Sequence, residues 1–175
     1  MITVHNNFLS EELIKRVTEE VKKASEDNAF YCSNFKWGSN IVQGSMPVLC
    51  YEISHKNPEL FHDLALYDQE VLNLDFDKAE KFGKSLFFWS NNSYIPWHAD
   101  ETYDWASSLY LNSEWHRDWG GFFMYEDGEE IKAIKPEFNL CVEQTNNIPH
   151  ATTAVSPGDT IPFRISLQSF VTWKK

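Results

Sequence analysis

The sequence predicts a mostly β fold with N-terminal helices, a jelly roll buttressed by two or more α-helices, and three observations carry that expectation. From Leu86 onward, short β-like runs are separated by turn residues at the spacing of about 8 to 12 residues expected of an antiparallel sandwich or barrel. Upstream of Leu86, two segments show helical spacing of apolar residues behind capping signals. Apolar residues make up 42% of the 175-residue chain and aromatics 15%, which excludes disorder and allows one domain with a real core.

The elements follow in chain order. Leu9-Ser10 reads as staple and N-cap, after which Leu13, Ile14, Val17, Val21 and Ala24 share one helical face and Lys15, Arg16, Glu19, Glu20 and Lys22 lie mostly opposite. Val48 to Ile53 reads as a strand. Asn57-Pro58-Glu59 then reads as N-cap, first-position proline and first-turn acid of a second helix burying Leu60, Phe61, Leu64, Val71 and Leu72. Strands are expected near 86–90, 94–98, 106–111, 121–125, 130–135, 139–143, 151–155 and 163–173. Asn91-Asn92-Ser93, Gly120-Gly121, Asp127-Gly128, Pro136, Asn146-Asn147 and Ser156-Pro157-Gly158-Asp159 punctuate them. The expected organisation is a single domain over 1–175, with 1–85 as helical and strand support and 86–175 as the jelly-roll core.

A net charge of −11 argues against nucleic acid and anionic lipid as partners, because an acidic surface repels phosphate. The N-terminus lacks a basic region followed by an apolar one, and the longest apolar runs, such as Leu86-Phe87-Phe88-Trp89, are far too short to span a bilayer. Cys32, Cys50 and Cys141 are odd in number and widely spaced, which reads as free thiols in a reducing compartment. The expected location is therefore cytoplasmic.

His98-Ala99-Asp100 places two ligand types two residues apart, so at a strand end both can face one metal. Alone the pair is a weak signal, and His116-Arg117-Asp118 supplies a decoy. The context of the first pair lifts it: Tyr110-Leu111-Asn112, the Gly120-Gly121 turn, His150, and Arg164 at the start of a strand. Two imidazoles and one carboxylate make the facial triad of non-haem Fe(II) oxygenases, which leaves one face of the metal open. Alternation along Arg164-Ile165-Ser166-Leu167-Gln168 sets Phe163, Ile165 and Leu167 toward the helices and Arg164, Ser166 and Gln168 toward the roll interior. There a guanidinium needs an anion, and its fork suits a carboxylate.

On these residues the stretch from about Leu86 to Trp173 resembles the catalytic core of 2-oxoglutarate and Fe(II)-dependent oxygenases, in the prolyl-4-hydroxylase-like branch. Lys135-Pro136, Pro149-His150 and the N-terminal Phe8-Leu9-Ser10-Glu11-Glu12 extend the likeness over nearly the whole chain. The resemblance implies a double-stranded β-helix of the cupin-like kind. It implies Fe(II) on His98, Asp100 and His150, and 2-oxoglutarate with its distal carboxylate on Arg164 and Tyr110, Ser166 being a weaker candidate. The implied reaction is decarboxylation of 2-oxoglutarate to succinate and CO2 coupled to hydroxylation of a C–H bond by O2, with room for ascorbate as an accessory reductant. The implied substrate is a peptide, a protein or a small amino acid, hydroxylated on a prolyl or other amino-acid group. Phe122-Phe123-Met124-Tyr125 after the glycine turn and the long spacing from His150 to Arg164 depart from the family pattern. Phe170 stands where the DNA-repair demethylase branch has a second arginine. Two alternatives remain on the sequence: a jelly-roll binding module without turnover, and a cupin-type metalloenzyme.

Overall fold

The computed structural model describes residues 1–27, 30–32, 45–145, 147–157 and 161–175. Eleven strands are present among them: β1 (Ile2–His5), β2 (Tyr31–Cys32), β3 (Val48–Glu52), β4 (Ala79–Trp89), β5 (Ile95–His98), β6 (Trp105–Tyr110), β7 (Phe123–Asp127), β8 (Glu130–Ile134), β9 (Cys141–Thr145), β10 (His150–Thr152) and β11 (Arg164–Trp173). Helix α1 spans Glu11–Asp27, a one-turn helix α2 spans Ile53–Lys56, and α3 spans Pro58–Leu72. The strands form two antiparallel sheets, β1-β9-β6-β11-β4-β3-β2 and β5-β10-β7-β8, the arrangement of a jelly roll.

The helices form where their caps and faces place them. Ser10 Oγ accepts from the Leu13 amide at 3.3 Å, and Asn57 Oδ1 accepts from the Leu60 amide at 3.1 Å with Pro58 at the first helical position. Leu13, Val17 and Ala24 of α1 and Leu60 and Leu64 of α3 pack with Leu86, Phe88, Leu109, Cys141 and Leu167 on the outer face of the large sheet. Phe163 and Ile165 pack partly against the same cluster, as alternation along the last strand requires. No helix among the described residues is long and apolar enough to cross a membrane.

Several boundaries move, each for a local reason. Ile53 is not the last residue of β3; it starts α2, and its side chain is fully buried from there. The buried stripe of α3 runs Leu60, Leu64, Asp68 and stops, so Val71 in the last turn is 46% exposed rather than buried. The strand expected near 139–143 begins at Cys141 because Asn139 takes a left-handed φ of 58° and holds the Leu9 amide and carbonyl with its side chain, both at 2.9 Å. That contact ties the N-terminus to the roll, as does the pairing of β1 with β9. The strand expected near 86–90 starts at Ala79, across Gly83 and Lys84, and residues 158 and 159 of the Ser156-to-Asp159 turn lie outside the described residues.

Candidate metal centre and its cavity

His98 ends β5 and His150 opens β10, and the antiparallel register sets these two residues directly opposite each other. Their rings lie 4.2 Å apart between centroids. Asp100 follows β5, and Oδ1 and Oδ2 of its carboxylate stand 3.7 Å from Nε2 of His98 and Nε2 of His150 respectively. One ligand atom from each of the three residues lies within 4.8 Å of the others. The decoy, by contrast, is a 3-10 turn at Arg117–Trp119 whose Arg117 and Asp118 side chains are 86% and 88% exposed.

The imidazoles are oriented by their own backbone. Nδ1 of His98 is held by the Pro96 carbonyl and Nδ1 of His150 by the Ile148 carbonyl, each at 2.9 Å. This geometry puts the proton on Nδ1 and leaves both Nε2 atoms as acceptors facing Asp100, as metal-ligating histidines require. Burial pushes the His150 imidazole below its usual range, against the opposing pull of Asp100. Phe123 stacks on His150 with centroids 5.3 Å apart, and Gln144 Nε2 donates to Asp100 Oδ2 at 3.0 Å. Sequence reasoning missed both supports. Alternation along β9 was the available signal for Gln144, since it shares a face with Val142.

A cavity of about 480 Å³ opens on the triad, walled by Phe87, Trp89, Ile95 and Val142 on its apolar sides. The loop after Asp100 contributes Tyr103, whose ring lies 4.7 Å from that of Phe170.

Arg164, Tyr110 and Ser166 gather in a second cluster beside this cavity without lining it. Arg164 is 2% exposed, donates from one terminal nitrogen to the Gly121 carbonyl at 2.5 Å, and leaves Nε buried with no hydrogen-bond partner. Its guanidinium carbon lies 4.2 Å from the centroid of the Trp89 ring and 5.6 Å from that of Tyr110. Burial pulls the guanidinium down to about 10, still cationic at pH 7, and pushes the Tyr110 phenol up to about 12, where it stays a donor. Ser166 Oγ accepts from Trp89 Nε1 at 3.1 Å. Gly121 makes the close approach possible: its φ is 67°, and a Cβ there would lie 3.0 Å from Arg164 Cδ. Trp89 is shared, touching Arg164 on one side and the cavity on the other.

No protein-family model and no curated protein matches the chain by sequence. Solved structures do match by fold. A prolyl-4-hydroxylase from Pseudomonas putida superposes with a TM-score of 0.73 at 16% identity, covering 99% of this chain and 92% of that one. A prolyl hydroxylase from Trichoplax adhaerens, solved with a peptide fragment of the hypoxia inducible factor oxygen degradation domain, gives 0.76 at 14% identity over 97% and 82%. The epimerase SnoN, solved with Fe3+, α-ketoglutarate and nogalamycin RO, gives 0.66 at 9% identity over 98% and 78%. The chain therefore has the fold of the prolyl-4-hydroxylase-like 2-oxoglutarate and Fe(II) oxygenases.

Proposed function

We propose that the chain is a non-haem Fe(II) dioxygenase that couples oxidative decarboxylation of 2-oxoglutarate with hydroxylation of a C–H bond on a prolyl or other amino-acid group. The observation that carries the reading is the convergence of two Nδ1-anchored imidazoles and one carboxylate on a single point beside a cavity. That donor set suits Fe(II), and a single anionic ligand leaves the site at net +1, ready for an anionic co-substrate. The unpartnered Nε of buried Arg164 fits the same co-substrate, since an isolated buried cation is stabilised by a carboxylate.

The overall balance is 2-oxoglutarate plus O2 plus R–H giving succinate, CO2 and R–OH. When bound, iron supplies the redox centre at which O2 is reduced with the electrons released by decarboxylation. In this reading His98, Asp100 and His150 hold the metal through Nε2, a carboxylate oxygen and Nε2. Arg164 pairs with the distal carboxylate of 2-oxoglutarate, Tyr110 donates to it, and Ser166 helps orient that end. Phe87, Ile95, Phe123 and Val142 line the cavity with apolar surface and keep bulk water from the reacting centre. The test is succinate formation from 2-oxoglutarate with Fe(II) and O2, first without substrate and then with proline-containing peptides. Succinate that disappears with His98→Ala or His150→Ala is the expected result.

One observation favours a second reading, a jelly-roll module that binds without turnover: Trp89 rather than Arg164 faces the cavity. Iron retained by the folded protein with no succinate formed selects that alternative.

A further inference from the structure

The cavity face of the large sheet carries a polar row that neither the triad nor the Arg164 cluster uses. β4, β11 and β6 set Ser85, Gln168 and Ser108 directly opposite one another, and in an in-register antiparallel row such side chains share a face. All three line the cavity that holds the triad, and all three are half-buried. Their side chains have no hydrogen-bond partner among the described residues. The next row is Gly83, Phe170, Ala106 and Gln144, and Gln144 ends it by donating to Asp100 at 3.0 Å. Gly83 sits within β4, where glycine weakens a strand, yet a Cβ there would meet nothing within 4 Å. The missing side chain is open cavity beside Phe170.

Glu52 of β3 stands opposite Ser85 and continues the row. At its β3 end Glu52 accepts from the Tyr31 hydroxyl at 2.8 Å and faces His55 at 3.3 Å, while Lys81 is exposed at the rim. An anionic ligand group seated on the row would lose its hydration beside the Glu52 carboxylate, whereas two hydroxyls and a carboxamide satisfy an amide's donor and acceptor together. Three strands at the usual spacing give the row a span of roughly 10 Å, the length of a small molecule or about three extended residues.

Building on the oxygenase reading above, we propose that Ser85, Gln168 and Ser108 seat an uncharged, amide-bearing substrate group, with its apolar part in the space left by Gly83 against Phe170. Gly83 and Gln168 are then specificity determinants, set one row from the Gln144–Asp100 contact.

The test measures binding of N-acetyl-L-prolinamide and its charged counterpart N-acetyl-L-proline to the full chain loaded with Mn(II) and 2-oxoglutarate, read by ligand-observed NMR. The amide should bind at least tenfold more tightly than the carboxylate. Gln168→Leu, Ser85→Ala and Ser108→Ala should each weaken the amide, Gln168→Leu by about tenfold, and Gly83→Val should remove its binding, with 2-oxoglutarate affinity unchanged throughout. Equal affinity for the two probes, no amide binding by wild type, or serine and glutamine variants that melt normally and bind normally overturn the proposal. Variants that lose 2-oxoglutarate affinity instead also overturn it, because the row then serves the co-substrate. A wild type that forms no succinate but binds the amide through the row leaves the proposal standing and removes only the oxygenase reading.

Discussion

Two buried cations sit on opposite faces of the same sheet, and their surroundings differ. On the helix side, Lys84 of β4 is 2% exposed and donates to Asp68 of α3 at 2.5 Å and to Ser169 of β11 at 2.7 Å. On the cavity side, Arg164 is equally buried but has a carbonyl, two aromatic faces and an orphaned Nε in place of a carboxylate. Burial pushes the Asp68 carboxyl above its usual range even beside Lys84, a measure of how dry that side is. A buried cation with its anion built in belongs to the architecture. One without an anion fits the carboxylate of the proposed co-substrate, because the missing charge has to come from outside.

The largest test of this contrast lies on the helix side. Lys84→Met or Asp68→Asn should each lower the unfolding free energy by about 3 to 5 kcal/mol, since each strands the other partner, while Asp68→Leu with Lys84→Met should recover much of the loss. Urea denaturation reads both outcomes, and a single variant that loses less than about 1 kcal/mol breaks the structural half of the comparison.

Next in size is the response to ligands. Fe(II) or Mn(II) with 2-oxoglutarate at a hundred times the dissociation constants should add about 2.7 kcal/mol per ligand, raising the melting temperature of wild type and raising it less for His150→Ala. A melt that does not move counts against the site. Arg164→Ala should then weaken 2-oxoglutarate by roughly ten- to a hundred-fold, the value of a charged hydrogen bond of about 1.5 to 3 kcal/mol. Arg164→Lys should lose less, Tyr110→Phe less again, and iron retention should stay at the wild-type level. An unchanged Michaelis constant for 2-oxoglutarate in Arg164→Ala removes the clamp.

Alkaline pH separates the two faces by a smaller slope. Burial raises the Cys141 thiol on the helix side and the Tyr110 phenol on the cavity side, the latter to about 12. A raised folded-state value means the native protein keeps a proton that the unfolded chain has already released. The stability this provides is complete below the unfolded values of about 9 and 10 and declines above them. Guanidinium midpoints should therefore fall from about pH 9 at up to about 1.4 kcal/mol per pH unit for Cys141, with Tyr110 joining between about 10 and 12. Cys141→Ala should flatten the segment from pH 9 to 10; stability that rises there reverses the assignment. Smallest of all, Val71→Ser at the exposed end of α3 should change stability by less than about 0.5 kcal/mol in the same titration.

What was legible in the sequence was local. Asn57-Pro58 announces a helix start because capping uses neighbouring backbone amides, and the alternation of Arg164, Ser166 and Gln168 with Ile165 and Leu167 assigns their faces because successive strand residues point opposite ways. His98 and Asp100 share a side for the same reason. The strand expected near 86–90 leaves out Gly83 and Lys84, which lie within β4. Each is explained only by what lies across the sheet: open cavity at one, Asp68 at the other.

By itself, then, the chain determined the class of fold, the starts of α1 and α3, the residue types that meet at His98, Asp100 and His150, and the inward face of Arg164. Tertiary structure alone decided that His150 stands opposite His98, that Gln144 reaches Asp100, that Trp89 lies between Arg164 and the cavity, and that Ser85, Gln168 and Ser108 form one row. The physical reason is range. Propensity, capping and alternation act over a few residues, whereas register joins strands far apart in the chain, and a slip of one residue would turn every side chain in those rows to the other face.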